Sequence, residues 1–330
     1  MTQVSPATLI AALEAAGEIT RIRLLALLAE AELTVSELVT ILGQSQPRIS
    51  RHLKLLAEAG LIERHREGAW AFFRLSDRAA MGEVAGAIVG RLDRDDPVLA
   101  SDHARLSEVR RSRAEQAARY FAETAADWDR IRSLHVPEER VEAALRDIIG
   151  DQHFHAALDL GTGTGRMLEL IAPHADRVVG IDQSPAMLNV ARSRLDHAGL
   201  RNVQLRQGDI YALPVERDAY DLVVIHQVLH YLDDPARAVR EAARRLRPQG
   251  RLVIIDFAPH HLEFLREQHA HRRLGFAHAE IAEMLAECEL DLQLQRDLVA
   301  SGDQDQLTVS IFVGRDRRII TDILPNREVA

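Results

Sequence analysis

Cysteine is nearly absent. Cys288 stands alone, so no internal disulfide can form, and cysteine-only zinc sites, iron–sulfur clusters and a CxxC redox pair are excluded. Lysine is equally rare: Lys54 is the single lysine among the 41 basic residues, a bias read as GC-rich codon usage with little functional weight. No apolar run approaches the roughly 20 residues that span a bilayer as a helix, which excludes membrane insertion by that route. The opening MTQVSPATLI has neither the basic nor the apolar segment of a secretory signal, and with one cysteine the expected setting is a reducing cytoplasm. Positive charge is not in excess either. The formal charge is −9, which argues against a simple polyanion binder. What remains is a chain of 330 residues, 47% hydrophobic and 28% charged, the composition of a soluble globular protein too long for one core, so two or more domains are expected.

The average charge hides an asymmetry. Between Gln44 and Arg74 the basic residues Arg48, Arg51, Lys54, Arg64, Arg66 and Arg74 outnumber the acids Glu58, Glu63 and Glu67, so this short stretch is locally basic. It falls in a region of short helices followed by a hairpin. Leu9, Ile10 and Leu13 mark a first apolar stripe, Ile19 to Leu28 a second, and Val35, Leu38, Val39 and Leu42 a third that Gly43 stops. Ser45 is placed to cap the next helix, with Pro47 in its first turn, and that helix runs through Ile49, Leu53 and Leu56 to Gly60. LIERHRE and AWAFFRL then read as two strands turned at Gly68, and an apolar helix from about Arg78 to Leu92 closes the unit. DRDDPVLASD, polar and Pro-containing, reads as a linker, followed by a long helix from about Ala104 to Arg130.

A helix carrying Arg48, Ser50, Arg51, His52 and Lys54 after a tight glycine turn can enter a major groove, while Arg64, His65, Arg66 and Arg74 on the hairpin reach flanking phosphates. SQPRISRHLKLLAEAGLIERHREGAWAFFRL resembles the recognition helix and wing of the ArsR-type winged helix-turn-helix repressors, over residues 5–92. The resemblance implies a homodimer on double-stranded operator DNA, contacted through Gln44, Ser45, Gln46, Arg48, Ser50, Arg51, His52, Lys54, Arg64 and Arg66. A helix-turn-helix used only for protein contacts remains the other reading. Where that family senses metals it uses a Cys-rich third helix or Asp/His pairs on the last; LTVSELV has no cysteine and residues 78–92 no histidine, so no metal site is expected. The apolar face of MGEVAGAIVGRL suits either dimerisation or packing against the following helix.

The rest of the chain alternates short apolar runs (HAALDL, RVVGID, VQLRQ, YDLVVI, RLVIIDF) with helical patterns, the mark of βαβ units and a parallel sheet. LQLQRDL and LTVSIFVG are separated by too few residues for a crossover and should pair antiparallel. LDLGTGTGR places Gly161, Gly163 and Gly165 between a strand and a helix, where backbone can approach a ligand and helix-terminal N–H groups favour an anionic group. Arg166 stands where the dinucleotide GxGxxG needs its third glycine; a structural turn or another nucleotide site is the alternative. Asp182 ends the next strand, where a carboxylate can take both ribose hydroxyls, and Asp209 follows the third, where an acid can meet an adenine amino group.

That set, with YDLVVIHQVLHYLDDP and RRLRPQGRLVIIDF, resembles the class I S-adenosylmethionine-dependent methyltransferases, in particular the branch related to quinone methyltransferases, over residues 115–315. The implied organisation is a mostly α winged helix-turn-helix (1–92), a linker (93–114), an α/β Rossmann-like domain with a seven-stranded sheet (115–315) and a tail (316–330). The implied cofactor is S-adenosylmethionine or S-adenosylhomocysteine, lined by Asp159, Gly161, Thr162, Gly163, Gly165, Asp182, Gln183, Met187, Gly208, Asp209, Ile210 and His226. His226 and His230 are the candidate bases toward a small-molecule acceptor, against the reading of ordinary hydrogen-bonded histidines. His260, His261, His269, His271 and His278 crowd into 19 positions; their HxH spacing allows a metal site, and the favoured reading is a solvated helix face. Two functions stand open: a transcriptional regulator that senses the cofactor, or a working methyltransferase with an appended winged helix.

Overall fold

Helix punctuation in the first part of the chain comes from named residues. The computed structural model describes residues 3–67, 70–76, 79–128, 138–299 and 307–319. Helix α1 (Pro6–Ala16) is capped by Ser5, whose hydroxyl accepts from the Thr8 N–H, and α2 (Ile19–Glu30) by Glu18, which accepts from Arg21. After the short β1 (Leu33–Thr34), a reciprocal Thr34/Glu37 capping box starts α3 (Val35–Leu42). Gly43 ends it at φ 64°, a left-handed conformation that glycine adopts without strain. Then come α4 (Gln46–Glu58), the antiparallel pair β2 (Ile62–Glu67) and β3 (Trp70–Leu75), and α5 (Ala79–Val89). The sheet order β1-β3-β2 completes a winged helix-turn-helix over a core of Leu24, Leu25, Leu38, Ile41, Ile49, Leu53 and Leu56. The turn expected at Gly68 lies outside the described residues.

The stretch expected to be a linker is largely helix. Asp96 accepts from the N–H groups of Val98 and Leu99, and Pro97 opens α6 (Pro97–Thr124). Leu106 is fully buried in the core of the first unit. Asp102, itself buried, forms a two-pronged ion pair with Arg23 at 2.6 and 2.7 Å. Arg105 donates to the carbonyl of Ile41 at 2.9 Å, and Arg113 pairs with Glu37, the capping residue of α3. The chain accordingly divides at Gln116/Ala117, inside α6.

The second unit contains a short turn (Ala125–Asp127), then α7 (Glu138–Ile149), β4 (Phe154–Leu160), α8 (Arg166–Ile171), β5 (Ala175–Asp182) and α9 (Pro185–His197). It continues through β6 (Val203–Gln207), β7 (Tyr220–His226), α10 (Pro235–Ala243), β8 (Leu246–Phe257), α11 (Phe264–Gln268), α12 (His278–Glu287), β9 (Leu290–Leu298) and β10 (Val309–Asp316). The sheet order is β6-β5-β4-β7-β8-β10-β9. Its first five strands are parallel, and β10 runs antiparallel to both β8 and β9 as expected. Central strands are apolar on both faces, with Leu158, Val223 and Ile254 in one core layer and Ala157, Val224 and Val253 in the other. β4 pairs with β5 on one side and β7 on the other, so the strand order reverses there. In open α/β sheets that reversal opens a ligand crevice at the carboxyl ends of the strands.

Candidate functional site

On α4, burial of Ile49, Leu53 and Leu56 leaves Ser45, Gln46, Arg48, Ser50, Arg51 and Lys54 exposed. Lys54 stands 3.8 Å from Glu58, one turn on. Arg64 is exposed on β2. Two expected DNA contacts turn inward instead. The His52 side chain is only 12% exposed, with Nδ1 3.7 Å from the Glu18 carboxylate, and burial holds its pKa below the usual histidine range. Gln44 is half-buried and donates to the Thr20 hydroxyl at 3.4 Å. Gln44, in the turn before α4, and His52, on the side of α4 that meets the core, both bear on the start of α2. Arg74 is engaged by Glu63 at 3.2 Å. The side chains of His65 and Arg66 lie outside the described residues.

In the second unit, the loop after β4 is pinned by its backbone. Gly161 and Thr162 both donate to the carbonyl of Ile181, at 2.8 and 3.0 Å, and the Thr162 hydroxyl donates to the buried Asp159. Gly161, Gly163 and Gly165 all have positive φ. At Gly161 an added Cβ would lie 2.3 Å from Val228 Cγ2, and at Gly163 it would lie 3.7 Å from the indole nitrogen of Trp128. Asp182, at the end of β5, accepts from the N–H of Gly163 through one oxygen and of Ser184 through the other, each at 2.8 Å. Burial pushes its carboxyl above the usual range, opposed by these backbone hydrogen bonds. Arg166 is held in a forked pair with Glu142 at 2.6 and 2.9 Å and by Glu169 at 2.7 Å, so it braces α8 against α7.

The other expected cofactor residues cluster at the same edge. The Gly208 N–H donates to the carbonyl of Asp182 at 3.0 Å; Asp209 is exposed and accepts from Tyr211 N–H at 2.9 Å; Ile210 is half-buried. Met187 is buried at the start of α9, Gln183 is exposed, and His226 is buried at the end of β7.

His230 is 1% exposed, and its Nδ1 lies 2.7 Å from Asp256 Oδ1. Asp256, at the end of β8, also accepts from the N–H groups of Leu229 and Phe257. Two of the crowded histidines turn inward instead of to solvent: His271 is 8% exposed, its ring 4.2 Å from that of His230, and His260 is half-buried, while His261 is exposed. Burial drives the pKa of His260 down to about 4 and that of His271 well below the usual value, with further lowering from neighbouring histidines and Arg266. Trp128, Phe121 and Tyr231 meet edge-on or tilted at 4.9 to 6.4 Å, and the Tyr120 hydroxyl is 2.8 Å from His269 Nδ1. Sequence reasoning missed Asp256 and Trp128; an acid closing the apolar run RLVIIDF was the available signal for the first.

Residues 19–64 match the family model described as bacterial regulatory protein, arsR family, and residues 158–254 match that of the methyltransferase domain. The chain carries an arsR-family helix-turn-helix and a methyltransferase domain. An uncharacterized methyltransferase, YcgJ, of Bacillus subtilis is 34% identical over 106 residues, 32% of this chain and 42% of the relative. A demethylmenaquinone methyltransferase of Thermus thermophilus is 42% identical over 105 residues, 31% of this chain and 47% of the relative. The chain thus spans less than half the length of either relative. The crystal structure of the Bacillus YcgJ protein aligns with 55% of this chain and 99% of its own at a TM-score of 0.47 and 20% identity. Both the glycine loop and Asp182 lie within the segment matched by the methyltransferase domain.

Proposed function

We propose that the protein is a DNA-binding transcriptional regulator whose methyltransferase domain binds S-adenosylmethionine and S-adenosylhomocysteine, so that methyl-cycle status reaches gene control. The observation that carries the cofactor half is Asp182. It accepts from the backbone N–H groups of Gly163 and Ser184, with that of Gln183 also directed at it, and an ionised carboxylate has about four acceptor positions. The remaining acceptor capacity suits a ribose diol beside the glycine loop, with Asp209 exposed at the neighbouring strand end for the adenine. When bound, S-adenosylmethionine supplies an electrophilic methyl group on a sulfonium. The exposed cations of α4 support the DNA half, as a homodimer on a roughly palindromic operator in the cytoplasm.

Helix α6 supports the coupling. Its first part holds the helix-turn-helix through Arg105 and Arg113, and its last part supplies Tyr120 and Phe121 to the aromatic group beside Gly163.

The test is titration calorimetry of both cofactor forms. Asp182→Ala should weaken each by about 1.5–3 kcal/mol, the cost of losing a charged hydrogen-bond acceptor, in a protein that stays folded. Equal affinity in wild type and variant removes Asp182 from the site.

A second reading, an active methyltransferase on a small acceptor, is favoured by one observation: the Asp256–His230 pair buried beside the same edge.

A further inference from the structure

Aromatic residues make up 4% of the chain, yet Tyr120, Phe121, Trp128, Tyr231 and Phe257 gather in one group within the methyltransferase domain. The group adjoins the glycine loop at two points. Trp128 is the nearest side chain to Gly163, and Val228, two residues before His230, is the nearest to Gly161. From Trp128 the rings continue through Phe121 and Tyr231 to His230, whose ring lies 4.0 Å from that of Tyr231 and 4.8 Å from that of Phe257.

Beside these rings three imidazole nitrogens stand open. Among the described residues His230 Nε2 is buried without a hydrogen-bond partner, and so are His260 Nε2 and His271 Nδ1. A buried polar atom left open is costly unless something else satisfies it. For His230 the nature of that something follows from the other nitrogen. Asp256 accepts three hydrogen bonds, one of them from His230 Nδ1; an ionised carboxylate only accepts, so the proton of that contact sits on Nδ1, and in the neutral ring Nε2 is the nitrogen with the lone pair. The open atom is therefore an acceptor, and it requires a donor such as a hydroxyl. Asp256 is committed to those donors, and Asp233 pairs with Arg272 at 2.7 Å, so neither carboxylate is a ready counter-ion for an amine. The surrounding rings meet edge-on or tilted at 4.9 to 6.4 Å and together form an aromatic surface against which a flat ring packs favourably.

We propose that the domain methylates a hydroxyl-bearing aromatic compound, with His230 as the proton acceptor, Asp256 as its positioning residue, and Trp128 and Tyr231 as the partly exposed rings against which the acceptor packs. This rests on the cofactor reading above. The acceptor's O–H proton passes to Nε2 while its oxygen bonds to the methyl carbon. The C–S bond breaks with its electron pair moving to sulfur, giving an aryl methyl ether, S-adenosylhomocysteine and an imidazolium facing Asp256. The proton then leaves to solvent.

The test uses 4-nitrocatechol, whose absorbance reports its ionisation, on the full-length protein saturated with S-adenosylhomocysteine. Wild type should bind it saturably and enhance the catecholate band below its solution pKa. His230→Asn keeps an N–H toward Asp256 but lacks Nε2, and should lose that enhancement with unchanged S-adenosylhomocysteine affinity. Transfer of a labelled methyl group from S-adenosylmethionine to the same probe should fall about a hundredfold, the usual contribution of a positioned base. Asp256→Asn should lower transfer and displace its pH profile, and added imidazole should restore part of the rate in His230→Gly. Cofactor binding with no saturable 4-nitrocatechol binding overturns the proposal, as does wild-type spectral change and transfer in His230→Asn. Loss of cofactor binding in wild type would instead overturn the cofactor reading.

Discussion

The side chains of His260 and His271 sit where a proton is costly, because burial and neighbouring positive groups both disfavour the imidazolium. Around them stand His230, His269 and Arg266, with Asp256 the opposing charge. In the unfolded chain both histidines would titrate near the ordinary value of about 6.5. Between that pH and about 4 the unfolded chain holds protons the folded domain refuses, so stability is full above pH 6.5 and falls as the pH drops. Urea melts of wild type across this window should show a slope approaching two protons taken up on unfolding, and His271→Phe should flatten it by about one. A melting midpoint independent of pH between 6.5 and 4 would contradict the burial of these residues. None of this was legible in the sequence, where five closely spaced histidines among arginines and glutamates looked solvated. Periodicity gives a helix's faces, but residues 258–277 are mostly irregular, and which of their side chains turn inward is decided by packing on β8. His52 makes the opposite point: its neighbours Arg48 and Arg51 are exposed on the same helix, and only the buried contact with Glu18 distinguishes it.

Among elements, the strands of the sheet were legible because each is a short apolar run bounded by turn residues, and the antiparallel pair because its connection is too short to cross over. The region 93–114 was not. Asp96 and Pro97 look like a loop by composition, yet an acid that accepts backbone N–H groups followed by proline is how a helix begins. The continuation of α6 into the first unit depends on Asp102 meeting Arg23 across 79 positions of sequence, which no local pattern reveals. For α4 and the wing, the roles separate by groove and backbone. Arg51→Ala, on the exposed face of α4, should cost about 1–3 kcal/mol on the preferred operator and relax base discrimination. Arg64→Ala, on β2, should weaken all sequences alike and reduce the salt slope by about one ion. Anisotropy titrations on specific and scrambled duplexes over a range of salt check both; full affinity in both variants would remove this face from DNA.

At the scale of the whole molecule, the proposed function ties DNA binding to the state of a methyl-donor cofactor. A ligand shifts a binding equilibrium only by its different affinities for the two conformations. The two cofactor forms differ by a methyl group and a sulfur charge; in the proposed site that difference falls away from Asp182 and toward Trp128, which lies by Gly163 and meets Phe121 edge-on. The decisive measurement is operator affinity by fluorescence anisotropy at fixed salt, for the protein alone and saturated with each cofactor form. The account predicts affinities that differ between the two forms by about 1–3 kcal/mol, with operator DNA changing the affinity for the favoured form by the same factor. Identical operator affinity in all three states would contradict it and leave the methyltransferase domain as an independent enzyme.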